Sequence, residues 1–282
     1  MAYTLSVISD EIAPDIDTAI RFAREHGLRH LDLRSVGGRN LIDFEDDALA
    51  ALAGKLQAAG LAVSCLASPL LKWLPPGMAL APRRHDAFGF DARAVDETRL
   101  FRRCFEICER LGTRRLRIFS YLAYDGFAPG DLARPLAALL ALAERHDCLL
   151  LLENEPVCNV ATAPALHDLV AGIAHPRLRA LFDLGNLQAM GAPPGDGEIA
   201  ALAPWIGYMH VKDYAPGSGI VPLGEGVADH RRALAIIAGA AALEDIPLAL
   251  ETYLPAQGWA ASAASLAVLR RWLAAFPVQG TC

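Results

Sequence analysis

The sequence predicts an α/β fold: a closed (β/α)8 barrel formed by the whole chain, residues 1–282, as one domain. Three observations carry this expectation. Short apolar runs of strand length alternate eight times with longer amphipathic stretches in 282 residues, which is the pattern of a parallel sheet with crossover helices. The short runs are apolar throughout rather than at every second position, as strands covered on both faces should be. No low-complexity linker interrupts the 54% apolar chain. A doubly wound open sheet is the rival arrangement.

The elements follow in order. Residues 4–9 (TLSVIS) form the first strand, and 15–26 the first helix, with Pro14 near its start and Gly27 just past its end. A proline costs little where the first helical N–H groups lack partners, and a glycine accepts the left-handed residue that closes a helix. The second unit is 29–33 (RHLDL) and 46–59, closed by Gly60; the third strand is 61–66 (LAVSCL). A long irregular stretch follows at 68–91, rich in proline, and a loop of that length in a compact domain is usually a lid or an interface element. Then come helix 93–111 with Gly112, strand 115–120 (RLRIFS), helix 131–146, strand 148–152 (CLLLL) and helix 164–174 with Pro164 near its start. The last units are strand 178–182 (LRALF), helix 197–203, strand 206–211 (IGYMHV), helix 229–238 with Gly239, strand 246–250 (IPLAL) and helix 262–275.

Composition narrows the classes of function. The 26 basic and 32 acidic residues leave a formal charge of −6, and a nucleic-acid surface needs positive potential. No apolar run approaches the roughly 18 residues that span a bilayer. The N-terminus shows no basic segment followed by an apolar one, so no secretory signal is expected. Six cysteines without a CxxC pair (Cys65, Cys104, Cys108, Cys148, Cys158 and Cys282) read as reduced thiols of a cytoplasmic protein. P-loop, GxGxxG and GxSxG motifs are all missing from the sequence.

Four residues stand at the C-terminal ends of the last four strands: Glu153, Asp183, His210 and Glu251. A parallel barrel opens all these ends onto one face, so the four side chains can converge. Singly, each reads as a helix cap or a loop hydrogen-bonder. Together, three carboxylates beside an apolar core need a compensating cation, because unpaired buried charge is costly. Carboxylate oxygens with one imidazole suit a single divalent ion: Mn2+ first, with Mg2+, Co2+ or Zn2+ also admitted.

The segments ISDEIAPDIDTAIRFAREHGLRHLDLRS, LLLENEP, ALFDLGN, YMHVKDY, PLGEG and LALET resemble the xylose isomerase-like TIM-barrel superfamily. That group includes sugar-phosphate isomerases and epimerases, ketose 3-epimerases, inosose dehydratase and endonuclease IV. The resemblance runs over nearly the whole chain. It implies one divalent metal held by Glu153, Asp183, His210 and Glu251, with Glu153 and Glu251 also serving as acid and base. A metal bridging a carbonyl and the neighbouring hydroxyl acidifies the C–H between them and stabilises an enediolate. Reprotonation on the other face is epimerisation, reprotonation at the neighbouring carbon is isomerisation, and loss of a β-hydroxyl is dehydration. The expected function is therefore a sugar or sugar-phosphate isomerase or epimerase, with an inosose-dehydratase-like lyase as the alternative and a catalytically silent barrel subunit behind both. A homodimer or homotetramer is implied as well, with the proline-rich 74–82 segment as a candidate contact.

The departures from the family pattern point away from particular members. Ketose 3-epimerases carry a histidine three residues after the metal-binding aspartate, where this chain has Asn186, and an arginine after the metal-binding histidine, where it runs His210-Val211-Lys212-Asp213-Tyr214. Endonuclease IV needs several further histidines, but among the eight here only His210 ends a predicted strand. Candidate substrate contacts are Asn186, Lys212, Asp213, Glu11, Arg34 and Lys72. Lys72 and Lys212 stand out because only three of the 26 basic residues are lysine; for Lys212, a solvated ammonium or a pair with Asp213 is the alternative. Glu11 and Arg34 can instead pair with each other. Arg117, within a strand, reads as an interior ion pair. Trp73 and Tyr121 are candidates to stack on a sugar face.

Overall fold

The computed structural model describes residues 3–75, 78, 88–91, 96–240, 242, 243 and 245–275. Eight strands form one parallel sheet: β1 (Leu5–Val7), β2 (His30–Leu33), β3 (Ala62–Leu66), β4 (Arg115–Ile118), β5 (Leu149–Glu153), β6 (Leu178–Asp183), β7 (Ile206–Val211) and β8 (Leu248–Leu250). Each neighbours the next in chain order, and β8 returns to pair with β1. A parallel bridge between Ile8 and Asp32 joins β1 to β2 and closes the ring. The expected barrel is the one observed.

The main helices are α1 (Ile16–Glu25), α2 (Asp46–Ala58), α3 (Glu97–Leu111), α4 (Ala133–Arg145), α5 (Ala163–Ile173), α6 (Asp196–Leu202), α7 (His230–Ala240) and α8 (Gly258–Ala274). Their starts are written locally. Asp15, Asp96 and Thr162 accept from the backbone N–H of Thr18, Arg99 and Ala165, satisfying donors that the first helical turn leaves open. Gly112 closes α3 at φ +68, where a side chain would be strained. Gly239 does not end its helix: α7 continues to Ala240, because an isolated glycine costs a helix only about 1 kcal/mol. Short elements that the hydrophobic pattern missed flank the open face: the helical turns Ser9–Ile12 and Leu184–Ala189 and the hairpins at 35–40 and 213–221.

Two apolar layers result. Leu150, Leu152, Ala180, Phe182, Met209 and Leu250 face outward into the main core under the helices. Their neighbours point inward, where Cys65, Leu151, Leu181, Tyr208 and Ala249 pack as a separate interior cluster. Strand side chains alternate faces with a period of two. Two residues beyond Leu151, Leu181, Tyr208 and Ala249 stand Glu153, Asp183, His210 and Glu251. The next interior layer up is therefore made of these four.

Candidate metal centre

Registry aligns the four: Asp183 pairs across the sheet with His210, and His210 with Ala249, two residues before Glu251. All four are buried, and one potential ligand atom from each lies within 4.8 Å of the others. The His210 Nδ1 is 3.0 Å from Glu153 Oε1 and 3.5 Å from Glu251 Oε2. Lys212 Nζ reaches Glu251 Oε2 at 2.6 Å and Asp183 Oδ2 at 2.9 Å. Arg117 Nη1 lies 3.2 Å from Glu153 Oε2, and Arg34 Nη1 lies 3.2 Å from Glu251 Oε1.

The electrostatics follow from burial set against these partners. Burial opposes the charge on Glu251, but Lys212, His210 and Arg34 override it and hold the carboxyl well below the usual range. Glu153 is likewise lowered against burial, by His210 and Arg117. Burial disfavours imidazolium at His210, yet the two glutamates raise it to about 10. Asp183 goes the other way: burial lifts it to about 7, only partly countered by Lys212. Burial would strip the proton from Lys212, but Asp183 and Glu251 hold it charged.

The residues present fit a metal ion. Glu153 Oε2, Asp183 Oδ2 and His210 Nε2 are buried polar atoms without a hydrogen bond; the two carboxylate oxygens lie within ion-pair distance of Arg117 and Lys212 but lack hydrogen-bond geometry. Such atoms are rare in native interiors and point to a missing partner. Three carboxylates and one imidazole form a donor set for a hard or borderline divalent ion.

Positioning is local. Asp183 caps the turn Leu184–Ala189 by accepting from Asn186 N–H at 2.9 Å, so helix-capping and site membership are combined in one residue. Asn154 clamps the Asp183 backbone from both sides, donating to its carbonyl at 2.8 Å and accepting from its N–H at 2.9 Å. His230 donates from Nε2 to the Lys212 carbonyl at 2.8 Å.

The other sequence candidates divide. Glu11 lies in the turn Ser9–Ile12 rather than at a strand end; Arg34 binds it at 2.5 Å and Asp10 at 3.0 Å while also reaching Glu251. Lys72 is buried at the mouth, 3.1 Å from Glu155. Asn186 turns its amide to the Asn154 carbonyl at 2.8 Å, a bracing contact. The Asp213 carboxylate accepts from the N–H groups of Tyr214, Gly224, Gly226 and Ala228 and staples that loop. Trp73 and Tyr121 do not stack toward the site; both donate to Glu97 at the start of α3. Sequence reasoning missed Asp10, although the adjacent pairs Asp10-Glu11 and Arg34-Ser35 were the available signal. It also missed Phe88, whose ring lies 3.8 Å from the Arg34 guanidinium and 5.0 Å from Lys72 Nζ. Residues 76, 77 and 79–87, which include most of the expected contact at 74–82, and Cys282 lie outside the described residues. A groove of about 530 Å³ lined by Leu136, Leu140, Leu169 and Ile173 lies between α4 and α5 on the helical shell, away from these strand ends.

A family profile described as xylose isomerase-like TIM barrel matches residues 20–272. No curated protein sequence matches the chain. Among solved structures, an IOLI protein with a bound zinc atom superimposes at TM-score 0.74 and 14% identity, covering 97% of this chain and 99% of that one. A probable 3-DHS dehydratase, AsbF, from Bacillus anthracis gives 0.68 and 19%, covering 96% and 99%. An L-ribulose 3-epimerase gives 0.68 and 16%, covering 98% and 95%. At these identities the likeness is one of fold.

Proposed function

Because the chain belongs to the xylose isomerase-like TIM-barrel family, we propose that it is a divalent-metal-dependent isomerase or epimerase of a sugar or related polyol. The observation that carries this reading is the buried convergence of Glu153, Asp183, His210 and Glu251 within 4.8 Å. Charge supports it. Six carboxylates line the site (Asp10, Glu11, Glu153, Glu155, Asp183 and Glu251) against four cations, Arg34, Lys72, Arg117 and Lys212. Once Asp183 and His210 have given up their protons, as ligation of a metal requires, the surplus of two negative charges equals one divalent ion. Manganese is the first candidate; magnesium, cobalt and zinc suit the same donors.

The four residues would hold the ion, which when bound polarises a carbonyl oxygen and acidifies the adjoining C–H. The rest falls to the chain. Glu153 and Glu251 come from β5 and the end of β8, flanking Asp183 and His210 from β6 and β7. Both are held ionised, so either can accept a proton. One glutamate removes a proton from a carbon on its side, and the other, after taking a proton from solvent, would return one from the opposite side. Lys212, charged and adjacent to Glu251, would donate to a substrate oxygen in this reading.

Elemental analysis of protein purified without chelators tests the metal: about one equivalent, lost in His210→Ala, is expected. The metal-loaded protein is then incubated with keto sugars and cyclitols in D2O. Deuterium incorporation without loss of mass supports isomerase or epimerase chemistry, whereas a product lighter by one water supports the dehydratase alternative. No turnover across the panel supports a silent barrel, and near three zinc ions would favour a nuclease. A cytoplasmic homodimer or homotetramer is proposed with this reading. No helix of the described residues is long and apolar enough to cross a membrane, and Cys65, Cys104, Cys108, Cys148 and Cys158 are free and buried.

A further inference from the structure

Lys212 sits within the ligand set rather than beside it. Its Nζ donates to Glu251 Oε2 at 2.6 Å and lies 2.9 Å from Asp183 Oδ2. Each of these carboxylates has its other oxygen committed elsewhere. Asp183 Oδ1 accepts from the Asn186 N–H at 2.9 Å, and Glu251 Oε1 accepts from Arg34 Nη1 at 3.2 Å. The two oxygens that remain to face an ion are therefore the two that Lys212 holds. Of the three lysines in the chain, Lys55 pairs with Asp17 at the surface and Lys72 with Glu155 at the mouth; only Lys212 pairs with the four-residue centre.

The backbone of this lysine is fixed, but its charge is not. His230 Nε2 donates to the Lys212 carbonyl at 2.8 Å, and the side chain, 8% exposed, runs along the capping turn with its Cγ against Gly185. An ion bonded to Glu251 Oε2 at the usual distance of about 2.0–2.2 Å would lie within about 5 Å of the Lys212 nitrogen. At that separation in a buried site, repulsion between a divalent and a univalent charge is poorly screened. The ammonium is the partner able to yield, because a lysine carries its charge as a compact point on a flexible four-carbon stem.

We propose that Lys212 competes with the metal ion for Asp183 Oδ2 and Glu251 Oε2, and that binding of the ion releases its ammonium toward the open face, where it can meet a substrate oxygen. Metal loading and exposure of this substrate contact are then a single event: the lysine is free to donate only when the ion has taken its two carboxylates. Its presence lowers the affinity of the centre for metal and couples occupancy to substrate recognition. This inference rests on the metal-binding reading above.

The test uses the full chain and zinc, which is diamagnetic. Lys212→Met keeps the apolar stem against Gly185 and removes the charge. Its zinc affinity, measured by competition with a chromophoric chelator, should exceed that of the parent by about tenfold or more, since a like charge has left the ligand set. Selective 15N labelling of lysine side chains gives three signals to follow, one each from Lys55, Lys72 and Lys212. In the chelator-treated parent the Lys212 signal should be protected from solvent exchange, and added zinc should shift it and remove that protection while Lys72 stays unchanged. If Lys212→Met does not fold, the parent spectrum decides, with the signal assigned by elimination through Lys55→Arg and Lys72→Arg. Zinc affinity in Lys212→Met equal to or below that of the parent, or a Lys212 signal unchanged at zinc saturation, would overturn the proposal. Failure of the parent to bind zinc, manganese or cobalt would instead overturn the metal reading on which it rests.

Discussion

Gly185→Ala tests how the site is assembled without replacing any residue proposed to do chemistry. Gly185 lies two residues past Asp183, and a Cβ built on it would sit 2.4 Å from Lys212 Cγ and 2.7 Å from the Lys212 carbonyl oxygen. Ordinary contacts begin near 3.4 Å, so the backbone contact alone is short by roughly 0.7 Å. The lysine side chain can swing away, but the carbonyl cannot, since it follows the end of β7 and accepts from His230 Nε2. The turn Leu184–Ala189 and the strand end must therefore move apart, taking Asp183 and Lys212 with them. Overpacking of this kind costs about 1–3 kcal/mol, and a weakened His230 bond adds about 0.5–1.5 kcal/mol. We expect denaturant unfolding to show a loss of about 2–4 kcal/mol on the same reasoning, and metal affinity to fall at least tenfold. The refuting result is a variant with parental stability and parental metal affinity, which would mean that the close approach of the turn to Lys212 does not position the centre.

Glu251→Gln keeps the side-chain size and one acceptor for Lys212 or Arg34 but removes the proton-accepting carboxylate; solvent deuterium uptake should fall by about 10²–10⁴, while the fold persists by circular dichroism. Metal uptake should strengthen with pH, because the ion displaces protons. Below about 7 both Asp183 and His210 must lose one, and between about 7 and 10 only His210 must, so titration calorimetry in buffers of different ionisation heat should count fewer released protons at pH 8 than at pH 6. Asp213→Ala removes the acceptor of four backbone N–H groups and should destabilise by about 2–4 kcal/mol, given that bonds to charged groups contribute about 1.5–3 kcal/mol each and are not additive; hydrogen exchange should rise within 213–228 and little elsewhere.

The barrel and its four strand-end residues were legible because both are written in local patterns. A buried parallel strand must be apolar, and a charged residue just past it has few reasons to be there. Glu153, Asp183, His210 and Glu251 each interrupt such a run, and the two-residue period then fixes which face they share. Asp32 breaks the same rule inside the run His30–Leu33, yet one carboxylate in a strand has no spacing that identifies Tyr208, 176 residues away, as its partner. Asp213 shows the opposite limit. Its adjacency to Lys212 suggested a role in the site, but an aspartate at a strand end is equally suited to gathering loop N–H groups, and only the return of the chain through Gly224, Gly226 and Ala228 decides between the two.

The loops that would meet a substrate resist such reading for a physical reason. Leu71, Phe88, Tyr121 and Tyr253 all adopt positive φ, from +50° to +63°, a region that large L-residues avoid unless the surrounding structure imposes it. Three of the four lie three to five residues past the ends of β3, β4 and β8, and Phe88 lies against Arg34 and Tyr253. No intrinsic preference in the sequence would place these residues in that conformation; tertiary contacts do. The four strand-end residues are carried by strands whose register is fixed on both sides, whereas the loops above them include segments held in conformations their own residues disfavour. A change of substrate within this fold can therefore proceed through the loops while the four strand-end residues stay fixed.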